Sequence, residues 1–191
     1  PGVVAPGQAG AQDVACDQGE LEVRDLEFQG NRALSDDELE VSVATTETAL
    51  FRRTLRVAIG AKRCLDRNAL PRDVLSLLSL YRQRGFYETS VDTLVQELGQ
   101  NGARVVFTID EGRPTILRSY AVAGLEGIPD SAALVNARRL RVGDRFDSSL
   151  LFADMDTIRQ RLRNAGYYRA DLLSPGHVRN SDSLIADVTY L

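Results

Sequence analysis

Apolar residues recur at helical spacing in two separate segments of the chain. The first segment carries its apolar stripe over 70–81 and ends at Gly85, and the second carries a matching stripe over 151–162 and ends at Gly166. Each glycine is followed by two aromatic residues and then by a stretch with strand-like character. Because the two glycines stand 81 residues apart and the flanking patterns agree, the sequence predicts two tandem copies of one small domain.

Strand patterns flank each long helix. In the first copy, residues 21–28 predict one strand, and 91–98 with 105–109 predict a hairpin around the turn at 99–102. The corresponding strands of the second copy are predicted at 116–123, 169–178 and 184–191.

Polar residues in front of the apolar stripes predict where the helices begin. Ser35 and Glu38 have the spacing of a capping box, which predicts a short helix to about Ala44. Asp66 or Asn68 can cap the long helix of the first copy. In the second copy, Asp130 and Asp147 take the same places before the short and the long helix.

Each copy therefore has the order β-α-α-β-β. This order predicts an α+β fold, with a three-stranded sheet covered by two helices on one face. We place the first domain at 21–112, where the inter-helix segment 45–64 is the longer one, and the second at 113–191. Residues 1–20 contain no lysine or arginine and few apolar anchors, so we expect a flexible tail.

A short connection separates the two copies. Gly112 accepts backbone angles that other residues avoid, and Pro114 follows it closely. We expect an inter-domain hinge here, with Gly112 as its pivot and Pro114 beside it.

The charge and the residue types argue against several classes of function. A net charge of −4 is opposite in sign to the basic balance of most nucleic-acid-binding domains. His177 is the single histidine, and the sequence has no phosphate-binding loop, so we expect neither a catalytic site nor a bound metal or cofactor. An acid pair hidden among the many carboxylates would make the chain a hydrolase, and we rank that alternative last.

The two cysteines allow one disulfide. Cys16 lies in the predicted tail and Cys64 at the end of the inter-helix segment, and an exported chain could join them. The alternative is two unrelated thiols, with Cys64 buried as a small apolar residue. Neither cysteine has the spacing of a metal-binding motif.

A three-stranded sheet leaves edge strands with unpaired backbone groups, and an extended polypeptide can add to such an edge. We predict the binding edge of the first copy at 91–98, with Val91, Thr93 and Val95 on it. In the second copy we predict it at 169–173, with Arg169 and Asp171. The alternative is that charged residues protect these strands as ordinary edges.

The motifs and their order resemble those of the POTRA domain. In the first copy these are Phe28-Gln29-Gly30-Asn31, the helix end from Leu80 to Tyr87, and the strand end from Ile109 to Pro114. In the second copy they are Ala121–Leu125, Val142–Asp147 and Gly166–Ala170. The resemblance covers 21–191, and tandem copies are similar to the N-terminal periplasmic arm of the BamA/TamA outer-membrane assembly family. The longer inter-helix segment with Cys64 departs from the plain pattern.

The resemblance implies a binding and scaffolding arm at the periplasmic face of the outer membrane. Its partners would be unfolded outer-membrane client polypeptides or periplasmic accessory proteins. It would reach the membrane only through a C-terminal barrel, which is absent from this sequence. Two alternatives are the POTRA arm of a barrel secretion transporter and a membrane-tethered envelope or division scaffold.

Overall fold

The helices and strands follow the predicted order twice along the chain. The structure, a computed structural model, describes residues 16, 19–48, 63–136, 138–171, 176–180 and 185–190, with only the backbone of 134–135, 176–180 and 185–190. The elements are β1 (Glu22–Gln29), α1 (Asp36–Glu40), α2 (Leu70–Gln83), β2 (Ser90–Leu98), β3 (Gly102–Asp110), β4 (Ile116–Val122), α3 (Ser131–Asn136), α4 (Ser148–Asn164), β5 (Gly176–Asn180) and β6 (Ile185–Tyr190).

The first sheet has the strand order β1-β3-β2. β1 pairs in parallel with β3, from Glu22 opposite Gly102 to Gln29 opposite Thr108, and Phe28 stacks on Phe107 with ring centroids 5.7 Å apart. β3 is buried along most of its length because it has a strand on each side. β2 is consequently an edge strand of this sheet.

The capping box at the start of α1 is confirmed. The Ser35 hydroxyl accepts from the Glu38 N–H, and the Glu38 carboxylate accepts from the Ser35 N–H at 3.2 Å. The helix ends at Glu40, short of the predicted Ala44, and the Ser42 hydroxyl then donates to the Leu39 carbonyl at 2.7 Å.

The long helices bury the predicted stripes. Leu77 and Tyr81 on α2 are fully buried, and the α4 stripe of Leu151, Met155, Ile158 and Leu162 is buried. α2 begins at Leu70, after the predicted caps, because Asp66 instead closes a turn by accepting from the Asn68 N–H at 2.8 Å. Asp147 caps α4 as predicted and accepts from the N–H groups of Ser149 and Leu150.

The second sheet has the order β4-β6-β5, with β4 parallel to β6 and β5 antiparallel to it. This is the arrangement of the first sheet, in which the last strand of the copy also lies in the centre. The buried apolar cluster of this part consists of Leu117, Tyr120, Leu140, Phe146, Leu151, Met155, Ile158 and Leu162.

The contacts divide the chain into two compact units. One unit holds the residues up to Ser76 together with Val91–Ile109, and the other holds Leu77–Ser90 together with the residues from Asp110 onwards. The division falls inside α2, whereas the domain boundary predicted from the repeats at 112–113 follows the order of the motifs. Within the described residues, no helix is long and apolar enough to span a bilayer.

Candidate functional site

The outer edge of β2 is the predicted binding strand of the first copy. Val91, Thr93 and Val95 are half-buried, while the intervening Asp92 and Leu94 are exposed. Leu94 keeps 53% of its surface exposed, so this strand presents an apolar side chain to solvent. β2 therefore combines an edge position in the described sheet with an apolar side chain in solvent.

The opposite edge of the same sheet is partly covered. The Val23 N–H donates to the Arg63 carbonyl at 2.7 Å, and the Leu65 N–H donates to the Leu21 carbonyl at 2.8 Å. Between these two bonds, Cys64 forms an antiparallel bridge with Glu22. We call residues 63–65 the strap. Because the strap uses backbone groups of β1, the two edges of the sheet are not equivalent.

A disulfide joins the strap to the N-terminal part of the chain. Cys16 and Cys64 are bonded, with their Cα atoms 5.5 Å apart. Residue 48 also contacts the β1 edge, because the Thr48 N–H donates to the Val23 carbonyl at 2.8 Å.

The prediction of a strand beginning at Arg169 in the second copy is wrong. Arg169 lies in a turn in which the Ala170 N–H donates to the Tyr167 carbonyl at 2.9 Å, and Asp171 is also outside any strand. The Arg159 guanidinium donates to the Asp171 carboxylate at 3.1 Å, which holds this segment beside α4. The edge strand of the second sheet is β5, which begins at Gly176.

The predicted hinge residues lie in the second unit. Gly112 has a φ of +67°, and its N–H donates to the Asp110 carboxylate at 3.1 Å. A Cβ atom at this position would stand 2.9 Å from the Cβ atom of Glu88. Pro114 forms an antiparallel bridge with Phe86. Hinge motion at Gly112 stays a prediction.

The pKa of the Asp147 carboxyl is clearly shifted from its ordinary value. Burial raises the pKa of its carboxyl, but hydrogen bonds from the Ser149 hydroxyl, the Arg84 guanidinium and the N–H groups of Leu150 and Ser149 outweigh burial and lower it. The Arg84 Nη1 atom lies 3.1 Å from Asp147 Oδ2. The carboxylate thus serves as helix cap and ion-pair partner together.

Two aspartates on the long helices have a role that sequence reasoning missed. Asp73 and Asp154 are each 1% exposed, and both carboxylates accept hydrogen bonds from backbone N–H groups. Asp73 accepts from the N–H groups of Ala44 and Thr45 at 2.7 and 3.1 Å. Asp154 accepts from those of Arg139 and Leu140 at 2.7 and 3.0 Å. The two aspartates are 81 residues apart, as are Gly85 and Gly166, and this shared spacing could have indicated a common role.

The described residues contain no group of three or more His, Cys, Asp or Glu side chains arranged to hold a metal ion. The backbone of His177 lies in β5. Asp73, Asp147 and Asp154 are all engaged by hydrogen-bond donors in structural roles.

The family model of POTRA, described as a surface antigen variable number repeat, matches residues 21–112 and 117–190. The chain belongs to the POTRA family. The sequence-based prediction of tandem POTRA domains is confirmed, as is that of the α+β fold.

A curated relative is the outer membrane protein assembly factor BamA of Neorickettsia risticii, which is 22% identical over 168 residues. The match covers 88% of this chain but only 22% of that protein. Among solved structures, POTRA3-5 of Haemophilus influenzae BamA is 19% identical, with a TM-score of 0.49 over 92% of this chain and 67% of that one. POTRA1-2 of Anabaena Omp85 is 17% identical, with a TM-score of 0.40 over 90% of this chain and 94% of that one.

Proposed function

We propose that this POTRA pair is the periplasmic arm of an outer-membrane protein that assembles β-barrels. In this proposal the arm binds extended client polypeptides or accessory proteins and presents them to a C-terminal barrel. The match to an outer membrane protein assembly factor supports the proposal. The disulfide between Cys16 and Cys64 is also consistent with an oxidising compartment such as the periplasm.

The observation that carries the binding role is the asymmetry of the first sheet. The strap occupies backbone groups along β1, while β2 offers an edge with the exposed Leu94 at its centre. A client strand that adds to β2 gains backbone hydrogen bonds independent of its sequence. Alternate side chains of the client would face Leu94 on the exposed side, so apolar residues in an alternating pattern would bind best.

The binding role requires no catalytic chemistry. Exposed Asp92 and Glu97 on the same strand place negative charge at the edge, which disfavours pairing between copies of this chain. A client with basic residues beside its apolar positions would be favoured over an acidic one.

Proline substitutions along β2 test the proposal. Adjacent residues of a strand direct their N–H groups to opposite sides, so of Leu94→Pro and Val95→Pro one removes the outward donor and the other breaks the bond to β3. We expect the variant that keeps its circular dichroism spectrum to lose at least tenfold in affinity for a labelled peptide from a barrel strand.

The control for this experiment is Leu75→Ser. Leu75 is an exposed leucine on α2, so its replacement changes surface hydrophobicity without touching the edge. Wild-type affinity in the folded proline variant would refute strand addition at β2.

A further inference from the structure

The turn that follows α2 is covered by residues of its own compact unit. The Gly85 carbonyl accepts from the Thr115 N–H at 2.8 Å, and the Phe146 N–H donates to the Thr115 carbonyl at 2.7 Å. A Cβ atom on Gly85 would stand 2.2 Å from the Phe146 carbonyl oxygen, so only glycine allows this approach. The segments around Thr115 and Phe146 thus form a lid over the end of α2, and we call them the covering segments.

The aromatic residues after Gly85 lie under this covering, with Phe86 buried and Tyr87 half-buried. Phe86 is 5% exposed, contacts Tyr81 edge to face, and lies 5.1 Å from the Arg145 guanidinium carbon. Tyr87 packs against the apolar cluster that contains Phe146. The turn and its two aromatic side chains therefore act as a docking surface.

The end of α4 repeats the same backbone geometry. The Phe86 N–H donates to the Tyr81 carbonyl at 2.9 Å, and the Tyr167 N–H donates to the Leu162 carbonyl at 3.0 Å. Gly166 donates to Arg163 at 3.1 Å, as Gly85 does to Arg82, and both glycines have a positive φ, +99° and +86°. The surface is thus built twice with the same hydrogen bonds.

The second copy of this surface is uncovered among the described residues. Tyr167 is 39% exposed and Tyr168 is 81% exposed, and no described atom lies within 4 Å of a Cβ placed on Gly166. A cavity of about 610 Å³ opens here, lined by apolar residues that include Leu125, Ile128 and Leu162. We call this region, with the turn and its two tyrosines, the α4 groove.

We propose that the α4 groove is the docking surface for a further POTRA domain in the polypeptide beyond Leu191. That domain would supply its own covering segments, one before its first strand and one before its long helix. The Gly166 carbonyl would accept a backbone N–H from the first. Tyr167 would be buried as Phe86 is, and Tyr168 would be half-buried as Tyr87 is. The inference rests on the internal repeat and is independent of client binding at β2.

One difference between the two surfaces makes the docking distinctive. Arg84 pairs with Asp147 beside the first turn, but the residue at the equivalent position of the second is Ala165. The interface at the α4 groove would therefore lack this ion pair and depend on apolar burial and backbone hydrogen bonds. Salt should affect it little.

Site-specific photocrosslinking in the full-length protein tests the proposal. Tyr168→p-benzoylphenylalanine places the probe in the groove, and the exposed side chain can be replaced without disturbing the core. Phe152→p-benzoylphenylalanine is the matched control, because Phe152 is 58% exposed on α4 and does not line the groove. Crosslinked peptides are identified by mass spectrometry after digestion.

We expect the probe at Tyr168 to crosslink within its own polypeptide, to a peptide beyond Leu191, at least fivefold more than the probe at Phe152. Crosslinks to a separate polypeptide would overturn the inference and assign the groove to a partner or client. An equal yield at both positions, or no crosslink at Tyr168, would also overturn it. None of these outcomes alters the peptide-binding test at β2.

Discussion

Asp73 and Asp154 show how one buried carboxylate can fix the path of a loop. Each sits on a long helix and accepts from two consecutive backbone N–H groups of the segment that precedes the helix. Those N–H groups belong to no helix or strand, so the aspartate supplies the partner that regular secondary structure would otherwise provide. The repeated aspartate therefore ties the inter-helix segment to the long helix in both copies.

Replacement of either carboxylate by an amide should be strongly destabilising. Asp73→Asn and Asp154→Asn each turn one acceptor into a donor that faces a backbone N–H. We expect each to lower the free energy of unfolding by about 2 kcal/mol, measured by urea denaturation. Asp156→Asn is the control, because Asp156 is largely exposed and its loss should cost under about 0.5 kcal/mol. Equal effects at all three positions would contradict this role.

Asp147 couples stability to acid pH. Its pKa is lowered in the folded protein from the ordinary value of 3.8, so the folded state binds the proton more weakly than the unfolded state. The stabilisation that ionised Asp147 gives to the folded state is fully present above pH 3.8, and it is lost as pH falls through the lower folded pKa. We expect Asp147→Asn, which still caps a helix, to flatten the loss of stability between pH 5 and 2. If the variant lost stability with falling pH as steeply as the wild type, Asp147 would be excluded as a source of the acid sensitivity.

At the scale of elements, the strap and the disulfide act together. The strap satisfies backbone groups of β1, and the Cys16–Cys64 bond connects it to the N-terminal part of the chain. In the chain-entropy description, closing this 48-residue separation stabilises the fold by up to about 4 kcal/mol.

Reduction should therefore loosen the β1 edge. We expect a reducing agent to lower the melting temperature and to speed hydrogen exchange at the Val23 and Leu65 amides, while the amides of β6 keep their rates. Intact mass should rise by two hydrogens. The double variant Cys16→Ser/Cys64→Ser serves as the control, since reductant should leave it unchanged. Unaltered exchange at Val23 after reduction would show that the strap holds without the disulfide.

Local sequence patterns predicted the helices well. The features that these patterns did not predict depend on contacts between residues far apart in the sequence. The stripe on α4 and the caps at Ser35 and Asp147 depend only on neighbours in the sequence, so spacing alone identifies them. The turn found where a strand was predicted to begin at Arg169 lies beside a contact between Arg159 and Asp171 that no local pattern encodes. The strap could not be predicted from local patterns either, because its hydrogen bonds join residues far apart in the sequence.

The candidate site also has one part that local sequence patterns predict and one part that they do not. Alternation identified β2 as a strand, and its edge position follows from the order β1-β3-β2. Which of the two edges is covered could not be predicted, because the strap lies in the segment with the least regular pattern.

At the scale of the molecule, α2 belongs to both compact units. Its residues up to Ser76 lie in one and those from Leu77 in the other, on one uninterrupted helix. The boundary between the two units therefore falls within a regular helix and not at the connection between the two repeats.

The position of the last strand in the centre of each sheet governs when folding can be completed. Glu22 pairs with Gly102, so β1 must wait for a strand that the ribosome makes 80 residues later. Such non-local pairing is slow, because a long loop has to close before any strand–strand bond forms. A nascent POTRA repeat consequently stays without its sheet until its final strand emerges, and a chain that stopped short of β3 would leave β1 and β2 with no shared partner.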